Sequence, residues 1–283
     1  MIASIKDTLS LNDQSRMPQH GFGCFLVEPD RMNQIIGWAL EAGYRYFDTA
    51  TRYENEASLG NALRVSGTPR EELYLVSKIW PTSYTDPEKA IEYSLRQLNL
   101  DYIDSYYLHW PGTDEYLRHK AWEALLQYRE KGLIGSVGVS NFQRPHLERL
   151  MSSFGVVPVA NQIELHPWYP QTQLSDWCRR QGMQVTAWGP IFRGKIDQVP
   201  LVREIGSRYG KSSVQVTLRW HLQKGNVVIP KSSQQKRILD NAAIYGFSLT
   251  PQEMAQIDAL ESGRHFGADP NLYNGEDFIP ATD

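Results

Sequence analysis

Four side chains of complementary chemistry stand just beyond short runs of strand-like composition. Asp48 closes Tyr44-Arg45-Tyr46-Phe47-Asp48, and Lys78 closes Leu73-Tyr74-Leu75-Val76-Ser77-Lys78. His109 follows Ile103-Asp104-Ser105-Tyr106-Tyr107-Leu108, and Tyr53 lies on the loop that leaves Asp48. An acid, a phenol, an amine and an imidazole suit the reduction of a carbonyl. The phenol gives a proton to oxygen, the ammonium stabilises the phenolate left behind, and the carboxylate keeps the lysine charged and in place. The imidazole would orient the carbonyl oxygen. A free tyrosine titrates near pH ~10, so an adjacent ammonium is expected to lower it toward neutrality. No side chain donates hydride, so a nicotinamide must. Singly, each residue has a plainer reading: a turn aspartate, a packing tyrosine, a solvated lysine, a partly buried histidine. Their joint placement at strand ends carries the argument.

Such a set converges only if successive strands end on one face, as in a (β/α)₈ barrel. Eight strand-like segments occur, at His20-Cys24, Arg45-Phe47, Leu73-Ser77, Ile103-Leu108, Ile134-Val139, Val159-Ile163, Gln184-Ala187 and Val227-Ile229. Gly21 and Gly23 make the first the weakest. Helical patterns alternate with them, the signature of a parallel sheet. Thr85-Asp86-Pro87 supplies a cap and a first-turn proline ahead of Ile91, Leu95 and Leu98. Thr250-Pro251-Gln252-Glu253 reads as a capping box ahead of Met254, Ile257 and Leu260. Ser262-Asp283, rich in Gly, Asp, Pro and Asn, reads as a tail folding over one end of the barrel. The expectation is an α/β protein, one barrel domain over residues 1–283.

Composition narrows the class. Apolar residues make up 41% and charged residues 22%, enough for a sizeable core. A net charge of -3 argues against nucleic acid or an anionic membrane as partner. Met1-Asn12 lacks the basic start and apolar run of a signal peptide, and no stretch approaches the ~20 apolar residues of a membrane span. Cys24 and Cys178 read as two free thiols, which fits a reducing cytoplasm. No His-x-His, His-Glu-x-x-His or paired-Cys spacing suggests a metal.

Several motifs resemble the aldo-keto reductase signatures. They are Phe47-Asp48-Thr49-Ala50 with Tyr53 and Asn55-Glu56, Val76-Ser77-Lys78-Ile79-Trp80, and Leu108-His109-Trp110-Pro111. Gly138-Val139-Ser140-Asn141-Phe142, Asn161-Gln162-Ile163-Glu164 and Ile229-Pro230-Lys231-Ser232 follow in order, so the similarity runs from about Pro18 to Glu261. The resemblance implies a (β/α)₈ barrel that binds NADPH/NADP⁺ extended, without a Gly-x-Gly-x-x-Gly turn. It implies Tyr53 as acid, Lys78 and Asp48 as its tuners and His109 as the group that orients the carbonyl. Ser140, Asn141 and Gln162 would hold the nicotinamide carboxamide, and Trp188 would stack on its ring. Lys231, Ser232, Ser233 and Arg237 would clamp the 2′-phosphate, with Asn241 on the adenine. The resemblance also implies a monomer acting on a small carbonyl compound.

Within the family pattern, Trp188-Gly189-Pro190-Ile191 replaces the common Tyr-Ser-Pro-Leu and resembles the microbial diketogluconate-reductase-like subgroup. Gly189 removes a hydroxyl that would bond the pyrophosphate, leaving the grip there, with Pro190, to backbone groups. Phe25 stands where many relatives carry a tryptophan, and Phe25, Trp80 and Trp110 are expected to line an apolar pocket beside Tyr53. Short loops after Pro111 and over Ile191-Val199 predict an open site. An alternative on the same barrel is an NADPH-binding regulator with little turnover, comparable to potassium-channel β-subunits.

Overall fold

A computed structural model describes residues 3–276, so the last part of the tail segment, residues 277–283, lies outside the described residues. Ten strands occur among them. β1 (Thr8–Ser10) and β2 (Arg16–Pro18) form an antiparallel hairpin. β3 (Gly21–Gly23), β4 (Tyr46–Asp48), β5 (Tyr74–Ile79), β6 (Ile103–Leu108), β7 (Ile134–Ser140), β8 (Ala160–Glu164), β9 (Gln184–Trp188) and β10 (Val227–Val228) pair in parallel, each with the next. A parallel bridge between His20 and Val228, with Gly23 N donating to Pro230 O at 3.2 Å, joins the last strand to the first. The expected (β/α)₈ barrel is therefore present. β4 sits one residue later than expected, and β3 and β10 are shorter than expected.

Alternation along the strands separates two layers, because successive side chains point to opposite faces. Leu75 and Ile79 of β5, Tyr106 and Leu108 of β6 and Val137 and Val139 of β7 join the apolar layer under the helices. Tyr46, Tyr74, Val76 and Tyr107 pack inside with Met17 and Leu11 of the hairpin segment, which plugs the amino-terminal mouth. One of these tyrosines explains a glycine that weakened the first strand in sequence, Gly21, whereas Gly23 faces Ile229 O. A Cβ on Gly21 would come within 2.4 Å of the Tyr46 ring, and one on Gly138 within 2.5 Å of Tyr107. Ring and glycine share one interior space.

The helix signals held with one exception. Thr250 and Glu253 form the reciprocal capping box, Glu253 N donating to Thr250 Oγ1 at 3.2 Å and Thr250 N to Glu253 Oε2 at 2.8 Å. Asp86 precedes helix Pro87–Leu98 but its side chain makes no cap bond. Its backbone (φ -141°, ψ 69°) departs from the extended geometry of an N-cap, and Pro87 alone starts that helix. No helix among the described residues is long and apolar enough to cross a membrane. Cys24 and Cys178 are both free and buried.

Candidate active site

Interior parity carries the chemistry to the carboxyl end. On β5 the inward positions run Tyr74, Val76, Lys78, and on β4 Tyr46, Asp48, so Lys78 and Asp48 top the interior stack. Lys78 Nζ lies 2.5 Å from Asp48 Oδ1 and donates to Thr49 O at 2.8 Å. Gln162 Nε2 donates to Asp48 Oδ2 at 2.8 Å, so both carboxylate oxygens are engaged. Both partners of the ion pair are buried. Burial pushes the ammonium below its ordinary value, and the Asp48 charge beside it acts the other way.

Tyr53 ends a 3₁₀ turn, Thr51–Tyr53, tied to β5 by Thr51 Oγ1 donating to Lys78 O at 3.1 Å. Asn55 holds the loop: its Oδ1 accepts from Thr49 Oγ1 at 2.7 Å and its Nδ2 donates to Cys24 O at 2.8 Å. Glu56 accepts from Ser77 Oγ at 2.5 Å, which gives the Asn-Glu pair a structural task. The Tyr53 ring lies 5.2 Å from Lys78 Nζ, 5.6 Å from the His109 ring and 5.0 Å from Phe25. The expected lowering of the phenol is not what this environment produces. Burial first, then the Asp48 charge, pushes Tyr53 well above the ordinary tyrosine value. The ammonium stands beside Asp48, whose charge opposes its effect on the phenol.

His109 continues β6 beyond Leu108, its N–H bonding Ile79 O at 3.0 Å. Burial, with Lys78 adding to it, drives the imidazole well below its ordinary value, so it is neutral near pH 7. His109 Nδ1 is buried without a hydrogen-bond partner among the described residues. Trp80 meets His109 edge to face at 4.8 Å, and Trp110 packs on Tyr273 of the tail at 4.7 Å. Trp80 Nε1 also donates to Gly275 O at 2.9 Å. Of the three expected pocket aromatics, Phe25 stands against Tyr53 and Trp80 against His109, while Trp110 meets the tail. The opening predicted from short loops is narrowed by this tail.

The amide-bearing positions assemble on the adjacent strands. Ser140 Oγ donates to Gln162 O at 2.8 Å, Asn141 Nδ2 to His109 O at 3.0 Å, and Trp188 Nε1 to Asn141 Oδ1 at 2.8 Å. Ser140, Asn141 and Gln162 are buried, whereas Trp188 keeps part of its ring exposed. A cavity of about 260 Å³ opens between Asn141, Trp188, Trp110 and tail residues Gly267 and Asn271. Gly189 adopts φ +60°, a left-handed turn that glycine takes readily, and Pro190 O accepts from His221 Nε2 at 2.9 Å.

Past β10, Lys231 is half-buried and Ser232 buried, its Oγ accepting from Gln234 N at 3.2 Å. Arg237 is exposed and Asn241 buried on helix Gln235–Ala242. Burial lowers the Lys231 ammonium, with Glu28 opposing and Arg31 assisting. Arg31 Nη2 donates to Ser233 O at 3.0 Å, bringing a cation to this corner that the sequence reading missed. No local motif marked it, since 202 residues separate the two partners. Glu164 was also missed as an anchor. Its oxygens accept from Phe266 N and Gly267 N at 2.7 Å each, and His166 Nε2 lies 2.9 Å from Oε1.

A parallel eight-stranded ring carrying a buried Asp–Lys pair, a phenol and a neutral imidazole at its carboxyl end defines an α/β-barrel oxidoreductase site. The Aldo/keto reductase family pattern matches residues 26–262, and the chain belongs to that family. It is 41% identical over 272 residues to the methylglyoxal reductase DkgA of Salmonella typhimurium, covering 94% of this chain and 98% of that protein. It is 41% identical over 274 residues to the glyoxal reductase of Bacillus subtilis, covering 96% and 99%. Among solved structures, a variant of Gox0644 in complex with NADPH superposes with a TM-score of 0.90 at 35% identity, covering 94% of this chain and 98% of that one.

Proposed function

We propose that the protein reduces aldehydes and ketones to alcohols with NADPH, Tyr53 supplying the proton. The observation that carries this reading is the geometry around Tyr53: a protonated phenol flanked by a neutral imidazole at 5.6 Å and an ammonium at 5.2 Å. The donor set fits the cofactor, with three buried amide or hydroxyl side chains beside a part-exposed indole and cations at the start of a helix. Ser140, Asn141 and Gln162 would hold the carboxamide and Trp188 the ring face. Lys231, Ser232, Ser233 and Arg237, joined by Arg31, would meet the 2′-phosphate, with Asn241 toward the adenine. NADPH, when bound, supplies the hydride.

The chain's own residues govern the proton. Raised by burial and by Asp48, Tyr53 is protonated at neutral pH and ready to donate. Neutral His109 offers an N–H to the carbonyl oxygen and fixes its orientation without competing as an acid. As the Tyr53 Oη proton moves to that oxygen, negative charge appears on the phenol, and the nearby ammonium stabilises it. Asp48 makes a buried lysine tolerable before that moment.

The test is NADPH oxidation with methylglyoxal and aromatic aldehydes, comparing wild type and Tyr53→Phe. Multiple turnovers in the wild type, reduced roughly 10²- to 10⁴-fold in a variant that still binds NADPH, would support the reading. A variant as fast as wild type would remove Tyr53 from the proton step.

A further inference from the structure

Tyr46 lies two residues before Asp48 on β4, on the same inward side of the strand, and is fully buried. Its ring meets Tyr74 edge to face at 5.4 Å and fills the space that Gly21 leaves open. The neighbouring interior phenols use their hydroxyls within the barrel. Tyr74 Oη lies 2.6 Å from Ser105 Oγ, and Tyr107 Oη donates to Met17 Sδ at 4.0 Å. The Tyr46 hydroxyl has no partner within hydrogen-bonding geometry among the described residues. A buried polar group left in that condition is uncommon and destabilising, and phenylalanine would fill the same space without it.

Asp48 is the acceptor this hydroxyl approaches. Burial first, then the Asp48 charge, pushes Tyr46 well above the ordinary tyrosine value, so it keeps its proton at neutral pH and stands as a donor. At rest the carboxylate is already held, with Lys78 Nζ 2.5 Å from Oδ1 and Gln162 Nε2 donating to Oδ2 at 2.8 Å. That balance changes when Tyr53 gives up its proton. Phenolate and carboxylate then share one ammonium, which lies 5.2 Å from the centre of the Tyr53 ring.

We propose that Tyr46 is a positioning residue for the proton step, a donor that tightens on Asp48 as the Lys78 ammonium turns to the Tyr53 phenolate. The inference rests on the reading of Tyr53 as proton donor and deepens it. Tyr46 keeps its own O–H bond throughout, and the proton that reaches the carbonyl oxygen leaves Tyr53 Oη. A hydrogen bond to a carboxylate in a buried site is a strong one. Because this one strengthens only as charge develops on Tyr53, it lowers the barrier without altering how either ligand is bound.

The experiment follows single-turnover reduction of saturating methylglyoxal by the full chain loaded with NADPH, with KM values and thermal unfolding measured alongside. Wild type, Tyr46→Phe, Tyr74→Phe and Tyr53→Phe are compared. Tyr46→Phe is expected to slow the turnover about tenfold, the scale of one hydrogen bond to a charged group. It should leave both KM values unchanged and unfold no earlier than wild type, since it removes an unpaired hydroxyl. Tyr74→Phe should do the reverse, keeping the rate but unfolding earlier, because its hydroxyl is bonded to Ser105. An unchanged turnover rate in Tyr46→Phe overturns this inference alone, as does a loss confined to KM, an earlier unfolding, or an equal slowing in Tyr74→Phe. If Tyr53→Phe is as fast as wild type, or wild type reduces neither methylglyoxal nor benzaldehyde, the reading of Tyr53 falls and the role of Tyr46 with it.

Discussion

Replacing Lys78 with methionine removes an ammonium from the barrel interior while roughly conserving volume, and its effect on rate and stability follows from the geometry. At 5.2 Å from the Tyr53 ring, a unit charge in an environment of effective dielectric about 20 interacts with a forming phenolate by about 3 kcal/mol. Losing it should lower kcat at least ~100-fold, because Asp48 then faces the phenol unopposed. The same change strands the Asp48 carboxylate, which keeps the bond from Gln162 Nε2 but loses its ammonium. Breaking a buried pair in this way costs about 3–5 kcal/mol. For 283 residues, at about 2.1 cal/mol/K each, that corresponds to a Tm roughly 5–8 °C lower. Thermal unfolding and single-turnover reduction of methylglyoxal measure the two effects. Adding Asp48→Asn to Lys78→Met should recover much of the stability and little of the rate. A folded Lys78→Met protein with kcat within a few-fold of wild type would refute the electrostatic argument. Strict additivity of the two substitutions in Tm would refute the pairing argument.

Acid should unfold the protein early. Burial holds His20 and His221 at about 3, far below the unfolded value near 6.5, so the unfolded chain binds more protons. Their contribution is complete above pH ~6.5 and is lost as pH falls toward 3, with a slope approaching about 1.4 kcal/mol per pH unit for each imidazole. Urea midpoints between pH 7 and 5 report it, and a flat profile would contradict the burial of these rings. At the cofactor end, Arg237→Ala should raise the KM for NADPH by roughly tenfold or more while changing that for NADH little, a split that steady-state kinetics would show. Glu164→Ala should speed hydrogen exchange at the Phe266 and Gly267 amides, which lose their acceptor. Unchanged exchange there would mean that something other than Glu164 protects them.

The barrel and the quartet were legible because both depend on local order. Period-two alternation that buries Leu75 and Ile79 outward sends Val76 and Lys78 inward, so a residue's parity and its distance from the strand end place it. The anchors that join distant segments left no such trace. Glu164 reaches residues 102 and 103 positions away, and Arg31 reaches 202. The Asp86 cap failed because its residue type suited a cap its backbone angles did not form. The direction of the Tyr53 shift was misjudged for a different reason. The Asp48–Lys78 pair was foreseen, but the full burial of the phenol, which raises it first, and the Asp48 charge, which raises it further, were not weighed against the ammonium.

Among the described residues, part of the tail's hold on the barrel runs through its main chain. Glu164 grips two successive amides and Trp80 a carbonyl, while the side chains of Tyr273 and Asn271 face the pockets. Main-chain holding is blind to side-chain identity, but it is not the whole of the attachment: a Cβ on Gly267 would come within 3.1 Å of Trp188 and 2.9 Å of Glu164, and the Phe266 ring stacks on Phe192 at 4.1 Å. Between such fixed points the described part of the segment is an interchangeable mount. Its exposed letters can be rewritten, by selection or by design, to reshape the mouth of the site, while the strands that hold Asp48 and Lys78 remain as they are.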